Sequence, residues 1–345
     1  ACELAQELGD AALLCPALGS CAETWRARGE LARAHQLDEQ CVGLAQDQER
    51  PSQLLVRGDL AWTLLRQGDF TRACELLEPV YAPCLESSPH PFGAFYLYHN
   101  RDMACAVQAL WCLGYPDRAW AVCQGALALA HTWPNPNRMV QTLCRAGCFL
   151  PQLVRDAPAA EETLQGLERL DREGWCAPLH HPYLVLYRGW AQAQSGALDE
   201  GIETLRRGLT EWSIMYVELR PYWKGYLAEA LGRAGQVEEA LALLEEGLTQ
   251  GIETGERFAE AELHRLKGEL LRQRGDDAEE VEACYRQAIA VAQGQQAKSW
   301  ELRATLSLAR LLRDQGRAAE ARDALAAVYG WFTEGFDTPD LVDAR

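Results

Sequence analysis

A short phrase repeats along this 345-residue chain. A small residue is followed three positions on by an apolar one, four later by Gly, and five beyond the Gly by Ala or Gly. It reads Ala61, Leu64, Gly68, Ala73, Leu77 near the start. It returns as Ala228, Leu231, Gly235, Ala240, Leu244 and again as Ala309, Leu312, Gly316, Ala321, Leu325. Gly114 with Ala119, and Gly196 with Gly201, carry it too. The glycines Gly29, Gly68, Gly114, Gly196, Gly235, Gly275 and Gly316 are spaced by about 40 residues or a small multiple of that. A fixed period in this range marks an array of supersecondary units.

Each unit reads as two helices and a turn. Apolar residues recur at i, i+3, i+4 and i+7 on both sides of each Gly, as in Leu302, Leu306, Ala309, Leu312 and then Ala321, Ala324, Leu325, Val328. The Gly ends the first helix in a left-handed conformation. The small residues let the two helices approach closely. One hairpin cannot bury its apolar face alone, so neighbours must stack on it. Eight units are legible. The fourth, around Leu143 to Leu167, is degenerate and carries Pro151 where its first helix belongs, which predicts an irregularity. The seventh has a one-residue insertion at Asp276-Asp277. The spacing is that of a tetratricopeptide repeat (TPR), with a period longer than the usual ~34 residues, so helices or links must be longer. Pro-rich links stand at 87–91, 133–137 and 177–182. The expectation is an all-α, right-handed superhelical solenoid of about eight TPR-like hairpins, forming a single repeat domain over residues 1–345. Residues 328–345 form its C-terminal cap: Tyr329, Trp331, Phe332 and Phe336 suit the exposed apolar end of a solenoid. Thr338-Pro339-Asp340 reads as an N-cap, an N1 proline and an acid at a helix start. A docking surface for another domain is the alternative role of this stretch.

Composition narrows the partners. The net charge of −17 argues against nucleic acid, and no apolar run approaches the roughly 18–20 residues that span a membrane. The thirteen cysteines fall mostly at apolar helix positions, such as Cys105 with Cys112 and Cys144 with Cys148. They form no CxxC pair and read as reduced core residues of a cytoplasmic protein. The chain begins without Met and reads as an excerpt of a longer protein.

Reactive motifs are missing. There is no GxxxxGK[ST] loop, HExxH, GxSxG or EF-hand loop, so neither catalysis nor a cofactor is expected. Cys176, His180 and His181 lack a fourth ligand for a metal. His264 lies inside an apolar helix and reads as a packing residue. The pairs Glu238-Glu239 and Glu245-Glu246 lie on polar helix faces and read as solvated charges. Recognition is better supported. If the first helix of each hairpin lines a concave face, its outward positions include Trp62, Trp111, Trp190, Tyr222, Glu229, Arg265, Glu269, Arg303, Arg310 and Arg313. Tyr, Trp and Arg are the types enriched at binding hot spots. Packing between repeats is the other role open to these aromatics. The segment Tyr96-Leu97-Tyr98-His99-Asn100-Arg101-Asp102 places two aromatics and four polar groups at a helix entry, where free backbone donors suit a polar ligand. Tyr96, Tyr98, His99, Arg101 and Asp102 are its candidate contacts, with helix capping and packing as the structural alternative.

Several longer stretches carry a resemblance. They include Arg188-Gly189-Trp190-Ala191, Arg220-Pro221-Tyr222, Gly255-Glu256-Arg257-Phe258 with Glu260 to Leu270, Gln296-Ala297-Lys298-Ser299-Trp300-Glu301-Leu302-Arg303, and Tyr329-Gly330-Trp331-Phe332-Thr333-Glu334-Gly335-Phe336-Asp337-Thr338. Over essentially its whole length the chain resembles the C-terminal TPR-like region of large bacterial predicted ATPases and class III adenylate/guanylate cyclase fusion proteins, of the STAND signalling type. It departs from them around Pro151, and at His99 to Asp102, where relatives tend to have a Gly-x-Asp-Pro type sequence. The resemblance implies a sensor region whose parent carries catalytic and NTPase modules not found here. On that basis the expected role is a non-catalytic protein-interaction scaffold or sensor. Its partner is a protein or peptide, another domain of the parent, or a second copy. The alternative is a small-molecule sensor, since the similar sensor domain of the bacterial maltose-regulon activator binds a sugar.

Overall fold

A computed structural model describes residues 11–46, 50–85, 99–132 and 134–345. Among the described residues there are helices and turns but no strand, and the helices pair into eight hairpins. The first three are α1 (Ala11–Ala27) with α2 (Leu31–Leu44), α3 (Arg50–Gln67) with α4 (Phe70–Leu85), and α5 (His99–Cys112) with α6 (Pro116–His131). The fourth joins a broken segment to α9 (Ala157–Arg172). Then come α10 (His181–Gln194) with α11 (Leu198–Met215), α12 (Arg220–Arg233) with α13 (Val237–Thr254), α14 (Glu260–Arg274) with α15 (Ala278–Gly294), and α16 (Lys298–Asp314) with α17 (Ala318–Tyr329). Helices of 14 to 18 residues in the fifth to seventh hairpins account for the long period.

All seven turn glycines take positive φ, from 78° at Gly29 to 97° at Gly196. Small residues also permit close approach. A Cβ on Gly201 would stand 2.6 Å from the Ala193 nitrogen, so the α10 and α11 backbones touch. The Asp276-Asp277 insertion serves as a cap: the Asp277 side chain accepts from the Glu279 N–H at the start of α15.

The irregularity at Pro151 takes a specific form. The segment runs as α7 (Asn137–Thr142), a π-helical turn over Leu143–Gly147, and α8 (Phe149–Val154), which contains Pro151. The Cys148 N–H reaches the Leu143 carbonyl at 2.8 Å, one residue beyond the α-helical partner. Proline cannot donate to the ladder, and here the ladder has already shifted register before it. Arg155 then ends α8 in the left-handed region.

The decisive feature is the tightness of the coil. Successive superhelical turns touch, so early hairpins pack on late ones. The Arg257 N–H donates to the Arg66 carbonyl at 2.7 Å, and Phe70 meets Phe258 edge-on at 5.9 Å. Trp111 on α5 meets Trp300 on α16 edge-on at 4.6 Å, and Ser299 Oγ donates to the Trp111 carbonyl at 2.5 Å. A Cβ on Gly114 would lie 2.6 Å from Trp331 and 2.8 Å from Lys298. One apolar core therefore runs from Leu54 to Trp300 across hairpins distant in sequence.

The C-terminal stretch does two things. Phe332 and Leu341, the latter on α18 (Pro339–Asp343), pack with Leu302, Leu306 and Val328 and cover the last hairpin. The segment between α17 and α18 reaches back to the third hairpin: Trp331 packs on Tyr115 at 5.5 Å, and the Gly335 N–H donates to Asp117 at 3.0 Å. The described cysteines are free thiols, buried or partly buried. Burial pushes Cys105 up to about 11 and Cys123 up to about 12, so neither is a thiolate nucleophile at neutral pH.

Candidate functional site on the coil axis

Two clusters of charged side chains lie where the first helices of the hairpins face the axis. The C-terminal cluster centres on Glu262. It pairs with Arg265 at 2.7 Å, Arg155 at 3.3 Å and Arg303 at 3.7 Å. Arg265 also reaches Glu269 at 3.4 Å and Ser307, and Arg155 reaches Glu229 at 3.3 Å. Arg303 donates to the Leu153 carbonyl at 2.8 Å and pairs with Asp340 at the end of the chain. Burial alone would push the Glu262 carboxyl up. Arg265 above all, then Arg303 and Arg155, overcome it and hold the group at about 2.

The N-terminal cluster forms a small chamber of about 20 Å³, no larger than roughly one water molecule. Its walls come from two turns of the coil: Trp62 and Arg66 of α3, Arg101 and Gln108 of α5, Arg145 of the π-turn, and Glu218 of the α11–α12 junction. Trp62 Nε1 donates to Glu218 Oε2 at 2.8 Å, and Arg66 Nε stands 3.6 Å from the same oxygen. Arg66 Nη2 donates to Gln108 at 3.1 Å, whose amide donates to the Arg145 carbonyl at 3.3 Å. Arg101 is taken up by Asp59 at 2.7 Å and Asp102 at 3.1 Å, and lies 4.8 Å over the Trp62 ring. Arg145 makes no side-chain hydrogen bond or ion pair with a described residue. Arg66 Nε and Nη1 and Arg145 Nε are buried without hydrogen-bond partners among the described residues.

The junction carrying Glu218 is strained. Leu219, a bulky residue, is left-handed at φ 60°. Its N–H is held by both carboxylate oxygens of Glu256, at 2.8 and 3.0 Å. Burial pushes Glu256 up to about 8, despite the opposing pull of Arg66 and of that N–H. His180 nearby is buried and lowered to about 4, by burial first and by Arg145 second.

The sequence-derived candidates divide accordingly. Trp62 and Arg101 line the N-terminal chamber, and Asp102 is buried behind it as a partner of Arg101. Glu229, Arg265, Glu269 and Arg303 meet in the C-terminal network. Tyr96 and Tyr98 lie outside the described residues, and His99 opens α5. Trp111, Trp190, Tyr222, Arg265 and Arg303 do not face an open groove, as their outward helix positions suggested. Each is 3–5% exposed, because the coil closes on its own axis. Trp190 packs edge-on to Tyr226, and Tyr222 stacks on Phe149 at 4.9 Å while its hydroxyl donates to Gln152. Arg310 is exposed and pairs with Asp343 at 2.9 Å, and Arg313 pairs with Asp314. Arg66, Arg145 and Glu218 are the axial residues that sequence reading missed. Arg66 had a signal, since it follows Trp62 by four residues on the same helix face. Arg145 and Glu218 had none, lying in the degenerate unit and in a link. Glu239, Glu245 and Glu246 are exposed and paired with surface Arg and Lys residues. No metal-ligating group of His, Cys, Asp and Glu occurs among the described residues, and no described helix is long and apolar enough to cross a membrane.

Comparisons place the fold. No family model matches the chain. A 128-residue stretch is 32% identical to an uncharacterized protein of Rhizobium meliloti (strain 1021), covering 37% of this chain and 12% of that protein. Among solved structures, the chain is similar to a Rap protein complexed with competence and sporulation factor, with TM-score 0.59 and 15% identity over 81% of this chain and 77% of that one. It is similar to the apo quorum sensor NprR from B. thuringiensis, with TM-score 0.56 and 13% identity over 95% and 91%. It is also similar to Bacillus thuringiensis PlcR in complex with the peptide PapR7 and DNA, with TM-score 0.51 and 14% identity over 83% and 98%. At these identities the likeness is one of fold: a TPR-like helical-repeat solenoid.

Proposed function

We propose that the chain is a non-catalytic recognition module that binds a protein or peptide segment along the coil axis, as the sensor part of a larger bacterial signalling ATPase or cyclase. The observation that carries this reading is the axial lining itself. Charged groups taken out of water cost several kcal/mol each, and well-packed apolar residues in their place are often neutral or stabilising. A coil that only had to close on its axis has no need of Arg66, Arg101, Arg145, Arg155, Arg265 and Arg303 there. Such residues suit a partner whose own polar groups replace the internal pairs. The complexes of similar fold support the same direction, one holding competence and sporulation factor and another the peptide PapR7. The DNA of the latter complex does not transfer, because a chain of net charge −17 is a poor phosphate binder.

The test is selection of binders from a displayed random peptide library on the purified chain, followed by titration of the winners. Peptides that bind at micromolar Kd, lose at least tenfold affinity on R155A and keep it on the surface control E245A, support axial recognition. Failure to enrich any peptide, or equal binding to both variants, overturns it.

A further inference from the structure

We propose that the N-terminal axial chamber is a carboxylate-binding subsite that the chain occupies with its own Glu218, and that a carboxylate of the partner takes Glu218's place. This deepens the recognition reading above by naming the chemistry of one contact, and it rests on that reading only for the source of the incoming group.

Three independent features point to it. The first is donor excess. Arg66 is 4% exposed, yet among the described residues two of its three guanidinium nitrogens have no hydrogen-bond partner and Arg145 has no ion pair. Unmet buried donors on a cation are costly, and Glu218 meets them only in part: one of its oxygens serves both Trp62 Nε1 and Arg66 Nε. A carboxylate brought by a mobile ligand is free to place both oxygens, which suits the fork of a guanidinium. The second is the backbone that delivers each side. Arg145 projects from the π-helical turn, an element found often at functional sites. Glu218 precedes the left-handed Leu219, whose N–H both side-chain oxygens of Glu256 hold. The third is position. Glu218 lies on the α11–α12 junction, whereas Trp62 and Arg66 lie a full coil turn away on α3. The contact is therefore a latch between turns. Displacing Glu218 removes the latch and frees the junction, which couples occupancy of the chamber to the spacing of the coil.

Chemical rescue tests this. The Glu218→Ala variant empties the carboxylate position, and acetate is the probe, with chloride at equal ionic strength as the control. The expected result is a melting midpoint several degrees below wild type. Acetate at tens of millimolar raises it by about 1–2 °C beyond chloride, as binding to the folded state alone requires. The wild type, whose site is filled, shows no acetate-specific gain, and adding Arg145→Met to E218A removes the gain. An E218A chain indifferent to acetate, or an equal gain in wild type or in the double variant, overturns the subsite. Should E218A not fold, E218Q keeps the Trp62 hydrogen bond through its amide oxygen, and hydrogen exchange across residues 216–220 becomes the readout. Faster exchange than wild type, raised further as acetate displaces the amide from the chamber, is expected, and unchanged exchange refutes the latch. The two readings fail separately: rescue without any peptide binder leaves a carboxylate subsite and removes the polypeptide partner, whereas peptide binding without rescue does the reverse.

Discussion

The Glu262 network and the Arg145 chamber use the same residue types on the same axial side of one coil, yet they are finished to different degrees. Around Glu262 three guanidiniums converge on one carboxylate, and that carboxylate is held at about 2. Around Arg145 the pairing is incomplete: Asp59 and Asp102 take up Arg101, but Arg66 Nε and Nη1 and Arg145 Nε have no hydrogen-bond partner among the described residues, and a strained junction supplies the one carboxylate that reaches Arg66. The first arrangement locks two superhelical turns together. The second holds them through a contact that another carboxylate is able to replace. Charge on an axis therefore says little by itself, and the completeness of its pairing separates a fastening from a site.

The comparison is tested hardest at Glu262. Replacing it with Ala leaves Arg155, Arg265 and Arg303 facing one another, and the expected loss is about 3–5 kcal/mol in urea unfolding. A loss below about 1 kcal/mol would mean that the network is not a fastening. Next is the seam between turns. Gly114→Ala introduces a methyl where Trp331 and Lys298 leave no room, at a φ of 91°. The expected cost is about 1–3 kcal/mol, with hydrogen exchange rising in α5 and α16 together. Exchange confined to the α5–α6 turn would show that the turns are not coupled there.

The two clusters also predict opposite responses to pH. Glu256 has a folded pKa raised to about 8, so the folded state binds the extra proton. Its contribution is full below the ordinary carboxyl range and declines as pH rises through about 8. Glu262 is lowered to about 2, so its contribution is present above the ordinary range and is lost as pH falls toward 2. Stability curves of wild type and E256Q, whose amide stands in for the protonated acid, should coincide in acid and separate as pH rises toward 8 with wild type the less stable, whereas E262Q should be less stable than wild type at neutral pH and approach it only in acid. Identical pH profiles for E256Q and wild type would remove Glu256 from the account. The smallest effect is expected for Arg145→Met. The guanidinium has no ion pair with a described residue to lose, so its removal should change stability by less than about 1 kcal/mol, measured by the same urea unfolding. A cost comparable to that of E262A would make the chamber a second fastening and erase the contrast.

Much of the architecture was legible. The Gly68, Gly114 and Gly235 phrases mark turns that are all left-handed, and Pro151 marks the broken unit. The site was only partly so. Trp62 reads as a first-helix position and Arg101 and Asp102 as part of a helix entry, without any signal that Trp62 and Arg101 would meet, and Arg66 was within reach as the i+4 residue of Trp62. Trp190 and Tyr222 looked like groove residues because helical periodicity reports a face without reporting what covers it. Arg145 was invisible because the π-turn that aims it breaks the periodicity on which such a reading depends.

The sequence by itself determined the unit and its number. A hairpin is a local object, set by apolar spacing, a turn glycine and small residues at the crossing, all within about 40 residues. Only the tertiary structure decided that the coil closes on its axis. Trp62 meets Glu218 across 156 residues, Arg303 meets Leu153 across 150, and Ser299 meets Trp111 across 188. Those meetings depend on the small rotation between neighbouring hairpins, summed over several units. No single unit encodes that sum, so no local pattern reveals which charges will face each other once the turns touch.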